Sequence, residues 1–246
     1  MVMIETPLKT AGLKCAMIDG YRVQWKDDGT DYPAIWCDFK DGKLDSIVQL
    51  HTNCPDRSVF RMETEKGPLV LKHDWERDSR LEKRILRFLT GPWYSRLIRL
   101  TNRAVNRGCD IVQDVYLVAE KMEGRFCVDS WLIAEFVEGT VAPASPKYSS
   151  LSHELAAVVG RLHDCGLASN DAHGGNFVIT DNGEVKIIDL SLTSPLIICQ
   201  ANDILKIKRA YNIDVPVHGF WRRLAAALVT LKYRIQKIRR QRRTNS

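Results

Sequence analysis

The chain has 246 residues, 45% of them apolar, which is enough for one large domain or two small lobes and argues against intrinsic disorder. Its net charge of +6 is local: Val215 to Ser246 carries nine Lys/Arg and no acid, so the body of the chain is slightly acidic and a nucleic-acid-binding domain is not expected. The longest apolar runs fall short of the roughly 18 residues of a membrane span. The N-terminus lacks a secretory build. Seven scattered cysteines with no CxxC point to reduced thiols in a cytoplasmic protein rather than to disulfides or zinc.

In chain order, Tyr21 to Lys26 alternates weakly and reads as a strand. Asp45 to Thr52, Ser58 to Thr64 and Pro68 to Asp74 read as three successive antiparallel strands, with "CPDR" and "EKG" as turns. Helical spacing follows at Leu81, Ile85, Leu86 and Leu89, and again at Leu97, Leu100 and Ala104. Gly91-Pro92 divides the two runs and Gly108 stops the second. Val115 to Met122 and Ser130 to Gly139 are two further strands. "TVAPASPKYSS" then reads as a linker. Leu151 to Leu167 is an amphipathic helix with Leu151, Leu155, Val158, Val159 and Leu162 on one side and Gly166 at its end. "NFVIT" and "VKIID" are strands joined by "DNGE", in which Asn182-Gly183 signals a tight hairpin.

The stretch "SNDAHGGNFVITDNGEVKIIDLS", residues 169 to 191, carries the chemistry. Asp171 and Asn176 have the D-x-x-x-x-N spacing of a kinase catalytic loop, a carboxylate that aligns the acceptor hydroxyl followed by a metal ligand. The hairpin returns Asp189 towards Asn176, so an amide and a carboxylate oxygen can share a hard cation such as Mg²⁺. Asp and Asn are common in turns, and the motif alone is weak. Its place between a helix ending in "LH" and "G" and a hairpin ending in "IIDLS" strengthens it. Lys72, in the last of three strands, falls where kinases carry the lysine that holds ATP phosphates. Glu135 to Val137 fall where a hinge meets adenine. The expected fold is therefore α+β, a two-lobed protein-kinase-like fold. Residues 1–140 form an antiparallel N-lobe with a helix. Residues 141–246 form a small, mostly helical C-lobe with its catalytic loop at 169–176 and a metal-binding segment at 189–191.

"LASNDAHGGNFVITDNGEVKIIDLS" and "LIAEFVEG", with the order of segments before them, resemble the lipopolysaccharide core heptose(II) kinases. The resemblance covers nearly the whole chain and is strongest from Trp131 to Ser191. Ser169-Asn170-Asp171 stands where that family has Ser-Gly-Asp, and Asp189-Leu190-Ser191 matches its Asp-Leu-Ser. The resemblance implies ATP-dependent phosphorylation of an inner-core heptose. Asp171 would be the catalytic base, Asn176 and Asp189 the Mg²⁺ ligands, Lys72 the phosphate lysine, and Glu135 and Val137 the ATP-binding hinge residues. Ser169, His173 and Arg57 are supporting candidates.

The chain departs from ordinary kinases in several places. It has no G-x-G-x-x-G, and Thr52 to Arg57 is the expected phosphate-covering turn. Arg57 would contact phosphate there or simply be a solvated turn residue. No convincing glutamate partner for Lys72 stands before Gly108, with Glu76 and Glu82 as substitutes. Asn170 replaces glycine, which Asn's tolerance of left-handed angles allows. His173 either scaffolds the loop or touches substrate, and His163 reads as a core histidine. Only 55 residues follow Ser191, which argues against a protein substrate.

The C-terminal helix expected over 218–243 puts Phe220, Trp221, Leu224, Ala227, Leu228, Leu231, Ile235 and Ile238 in one stripe, with Arg222, Arg223, Arg234 and Lys237 outside it. That pattern suits an anionic inner-membrane surface, hence a cytoplasmic, peripheral location beside a lipid-linked core oligosaccharide. Packing of the stripe on the C-lobe is the plainer reading. Two other functions stay open: a kinase for another small acceptor such as Kdo or an aminoglycoside, and a pseudokinase scaffold.

Overall fold

The computed structural model describes residues 12–50, 56–75, 93–124, 126–142, 149–191, 195–215, 219–220, 223–231 and 233. The chain forms two compact units, the first of Met1–Gly108 and Gln113–Val137, the second of Cys109–Val112 and Glu138–Ser246.

The first unit is built on a seven-stranded antiparallel sheet. Its strands are β1 (Leu13–Ile18), β2 (Tyr21–Lys26), β3 (Ile47–Leu50), β4 (Arg57–Thr64), β5 (Gly67–Asp74), β6 (Val115–Glu123) and β7 (Phe126–Glu135). They lie in the order β1-β2-β6-β7-β5-β4-β3. The three expected strands before residue 75 are present and pair in succession. The second of the two later strands begins and ends four residues earlier than expected, with register shifts against β6.

Among the described residues two helices cover this sheet. Helix α1 (Tyr32–Lys40) starts at Asp31, whose side chain accepts the Ala34 N–H, and has Pro33 in its first turn. It buries Tyr32 and Trp36 in an apolar cluster with Ile18, Val23, Met62, Leu71, Leu117 and Ile133. Helix α2 (Trp93–Val105) packs on β6 and β2, where the Glu120 carboxylate accepts the Ser95 backbone N–H at 3.1 Å and also its hydroxyl. Burial pushes the Glu120 carboxyl above its usual range, against the pull of the Ser95 hydrogen bonds. The helical run at Leu81 to Leu89 lies outside the described residues.

The second unit holds a three-stranded antiparallel sheet, β10-β9-β8, made of β8 (Thr140–Val141), β9 (Phe177–Ile179) and β10 (Val185–Ile187). Residues 109–112 join it through a parallel bridge of Val112 to Ile187 and the Ile187 N–H donated to Ile111 O at 2.7 Å. The expected linker therefore carries a short strand, and its residues 143–148 lie outside the described ones.

Helix α3 (Ser149–Asp164) buries Leu155, Val158, Val159 and Leu162, as its stripe predicts. Gly166, at φ 76°, closes it: its N–H reaches His163 O and the Leu167 N–H reaches Leu162 O. Helix α4 (Leu196–Tyr211) was not expected and ends at Asn212 in the left-handed region. Among the described residues no helix is long and apolar enough to cross a membrane.

Candidate active site

Ser169 to Asn176 form a loop that leads from α3 into β9. Its first residue is fully buried, and the Ser169 hydroxyl accepts the Asp171 N–H at 3.3 Å. Asn170 sits at φ 58°, the left-handed conformation its residue type tolerates. The loop then tightens into a 3₁₀ turn, Gly174–Asn176. His173 caps this turn, with Nδ1 accepting the Gly175 N–H at 3.1 Å. That bond places the ring proton on Nε2, which lies 3.6 Å from Asp171 Oδ2. His173 therefore scaffolds the loop and faces its carboxylate.

Asn176 is buried. Its side-chain N–H donates to the Asp171 carbonyl at 2.9 Å, which leaves the amide oxygen as its remaining acceptor. The hairpin register sets Asp189 next to this residue. Phe177 pairs with Ile187, the Ile188 N–H donates to Asn176 O at 2.9 Å, and Asp189 follows at once. Asp189 takes φ 54°, and the Ser191 N–H donates to Ser169 O at 2.9 Å, tying both ends of the motif together. Asn182-Gly183 lies in the turn of this hairpin, within the expected "DNGE" connection. Thr180 N–H reaches Glu184 O, and Gly183 adopts φ 82°.

Asn176 and Asp189 are hard oxygen donors of the kind that suits Mg²⁺, which takes one or two protein oxygens and completes its shell with water and phosphate. Among the described residues there is no group of three or more His, Cys, Asp and Glu that would form a full protein cage.

Sequence reasoning missed the residues that hold this loop from outside. Asn202, Asp203 and Lys206 of α4 grip three consecutive loop residues. Asp203 Oδ2 accepts the Ser169 N–H at 2.8 Å, and Asn202 donates to the Asn170 side-chain oxygen at 2.8 Å. Lys206 donates to the Asn170 carbonyl at 3.1 Å and to Asp171 Oδ1. Asp203 is fully buried and also meets His163 Nε2 at 3.2 Å, so His163 is a core residue with a polar task. Burial pushes the Asp203 carboxyl up, partly offset by His163 and the Ser169 N–H. Gln200 donates to the His163 and Leu167 carbonyls at the end of α3. Burial, and then the neighbouring Cys165, push the Cys109 thiol up to about 12, which keeps that thiol protonated.

The remaining candidates lie in the first unit. Lys72 is buried in β5, opposite Val59 and Leu132. Alternation puts it on the same face as Asp74, whose carboxylate accepts from Tyr94 of α2. Helix α2 contains no acid that could pair with a lysine; Glu76 and Glu82 lie outside the described residues. Arg57 opens β4 and donates to Asp74, its register partner, at 2.6 Å. Residues 51–55 of the expected phosphate-covering turn lie outside the described residues.

Both backbone groups of Glu135 are engaged: its N–H donates to Asp114 O at 2.9 Å, and its carbonyl accepts from Gln113 at 2.7 Å. Val137 makes no backbone hydrogen bond among the described residues.

A family model described as "Lipopolysaccharide core biosynthesis protein (WaaY)" matches residues 13–241. A protein of Escherichia coli (strain K12) named lipopolysaccharide core heptose(II) kinase WaaY is 32% identical over 169 residues, which is 68% of this chain and 72% of that protein. A second Escherichia coli protein of the same name is 27% identical over 205 residues, 82% of this chain and 88% of its own length. A solved structure, WaaP in complex with acyl carrier protein, aligns with a TM-score of 0.48 at 13% identity over 88% of this chain and 98% of that one. The match to the family model over most of the chain shows that it belongs to the WaaY family of lipopolysaccharide core biosynthesis proteins.

Proposed function

We propose that this chain is a kinase that transfers the γ-phosphoryl group of ATP to a heptose hydroxyl of the lipopolysaccharide inner core, heptose II as in the names of its relatives. The carrying observation is the loop–hairpin: Asn176 bonded to the Asp171 carbonyl, with Asp189 one residue past its strand partner. The reaction needs a carboxylate that meets a hydroxyl and oxygens that hold a cation, and the short backbone path linking Asp171, Asn176 and Asp189 supports this reading. A kinase-like division fits the two units, with the first serving the nucleotide and the second the acceptor and metal.

Asp171 aligns the acceptor hydroxyl and takes its proton. The acceptor oxygen bonds to the γ-phosphorus, and the bond to the bridging oxygen breaks, so ADP leaves with the electron pair. Asn176 and Asp189 hold Mg²⁺, which when bound neutralises charge on the phosphates. Lys72, in a buried strand position, holds phosphate oxygens. Val137 rather than Glu135 offers its backbone to adenine, because the Glu135 groups are already bonded. Arg57, held on Asp74, orders the sheet and does not serve as a phosphate ligand.

A cytoplasmic, peripheral place at the inner membrane is part of this reading. In the C-terminal helical segment the described residues Ala225, Ala226, Val229, Thr230 and Tyr233 are half-buried, with Arg209 of α4 over the Tyr233 ring at 4.1 Å. Phe220, Leu224, Leu228 and Leu231 stay exposed. The leucine stripe thus points away from the protein, which favours lipid over packing on the second unit.

The test is mass spectrometry of core oligosaccharide from a strain without the gene, complemented by the wild type or by Asp171→Ala. Loss of one phosphate, restored by the wild type alone, is expected. Equal restoration by Asp171→Ala removes the catalytic assignment, and an unchanged core removes the acceptor.

A further inference from the structure

Asp171 is half-exposed, and so is the lysine that holds it: their side chains keep 47% and 38% of their accessible surface. A pair this exposed contributes little to stability. The lysine is nonetheless constrained at two points, the Asn170 carbonyl and Asp171 Oδ1. It stands one helical turn beyond Asn202 and Asp203, which fix the two preceding loop residues. Helix α4 is thus a template that reads the loop residue by residue, and its last contact falls on one oxygen of the carboxylate and not the other. The second oxygen, Oδ2, faces His173 Nε2 at 3.6 Å, beyond hydrogen-bond length.

We propose that Lys206 is a positioning residue for phosphoryl transfer. By occupying Asp171 Oδ1 it fixes the carboxylate's rotation and leaves Oδ2 as the oxygen that takes the acceptor proton. This rests on the reading of Asp171 as the acceptor-aligning carboxylate. The acceptor proton moves to Oδ2 as the acceptor oxygen bonds to phosphorus and ADP departs; Lys206 stays charged and bonded throughout. Its effect belongs to the step, because both of its contacts are with the loop that carries the carboxylate. A carboxylate free to rotate loses alignment, and misalignment of a reacting group costs rate far more than affinity.

The test uses the full chain, ATP and core oligosaccharide from a strain lacking the gene. Lys206→Met, which keeps volume and removes the charge, is expected to lower kcat by about 10²-fold while KM for ATP changes by less than about twofold. Lys206→Arg, which restores a cation, is expected to recover at least about a tenth of the wild-type kcat. Adding Lys206→Met to Asp171→Asn should cost nothing more, since the two act as a unit.

A Lys206→Met enzyme with wild-type kcat, beside an inactive Asp171→Asn, overturns the role of Lys206 and leaves the base assignment standing. An active Asp171→Asn overturns that assignment and the proposal with it. A KM effect at constant kcat assigns Lys206 to binding and also overturns it. If Lys206→Met melts below the wild type, Lys206→Gln at matched melting temperature makes the same comparison.

Discussion

Asp203 Oδ2 accepts the backbone N–H of Ser169 at 2.8 Å and also meets His163 Nε2 at 3.2 Å, and all three residues are buried. One side chain thereby joins α4, α3 and the start of the catalytic loop. Its second oxygen, Oδ1, has no hydrogen-bond partner, so the arrangement carries the cost of an incompletely satisfied buried acid.

That cost makes removal of the carboxylate informative. Asp203→Ala removes the acceptor of the buried Ser169 N–H and the partner of His163 Nε2 and opens a small void. A loss of about 2–4 kcal/mol is expected, read from urea unfolding. Asp203→Asn keeps an oxygen for the Ser169 N–H and should lose less than Asp203→Ala. If Asp203→Ala unfolds at the wild-type urea midpoint, the carboxylate does not anchor the loop.

Gly139 precedes β8 at φ 145°, and a Cβ there would overlap the carbonyl oxygen of Ile179. The contact is backbone to backbone, so no side chain can swing away. Gly139→Ala should therefore push β8 off β9 and cost about 1–3 kcal/mol. Gly183→Ala, in an open turn at φ 82° with nothing near its Cβ position, meets only the backbone strain and should cost less. Equal melting temperatures for wild type and Gly139→Ala would contradict this.

How far the sequence could be read depends on whether the signal was local. The hairpin of β9 and β10 was legible because its signal is local, with Asn182-Gly183 between two short apolar runs, and the candidate site residues stand at short spacings around it, from Asp171 to Asn176 and on to Asp189. Helix α1 was legible but overlooked: Asp31 before Tyr32-Pro33 is a helix-start signal. Helix α4 was harder. Gln200 and Asp203 interrupt its inward face, so no continuous apolar stripe announces it. Those polar residues face inward because the ends of α3 and the loop need partners, and those partners lie 33 to 40 residues away in sequence. Strand β1 alternates in burial at a sheet edge, but its sequence is apolar at every position except Lys14, so no polar–apolar alternation announces it.

In the first unit, Asp129 gives a pH prediction. Burial raises its carboxyl, but hydrogen bonds from His73, at 2.6 Å, and from Tyr21 outweigh that and hold it below the usual range. A depressed folded value means that its stabilising effect is present above the unfolded value of about 3.9 and fades as pH falls through the folded one. Asp129→Asn should therefore lower the urea midpoint at pH 7, and the gap to wild type should narrow below about pH 4. His73 also stacks on Trp131 at 3.5 Å, so loss of its partner would show in tryptophan fluorescence. A gap that widens in acid would reverse the sign and sink the account.

The C-terminal leucines test membrane docking separately from catalysis. Leu228 and Leu231 keep 58% and 54% of their surface exposed, so replacing them with Asp should leave the melting temperature within about 2 °C of wild type, as expected for surface positions. Binding to anionic vesicles at low salt should nonetheless fall by at least about tenfold in the double variant, since each buried leucine contributes roughly 1.5–3 kcal/mol and an acid opposes the lipid charge. Wild-type binding should also weaken at high salt, because the nine basic residues after Val215 act through a screened field. Cosedimentation with anionic and with neutral vesicles separates these contributions. Equal binding of wild type and the double variant to anionic vesicles would leave only the basic residues in contact, and absence of wild-type binding at low salt would remove the membrane from this reading.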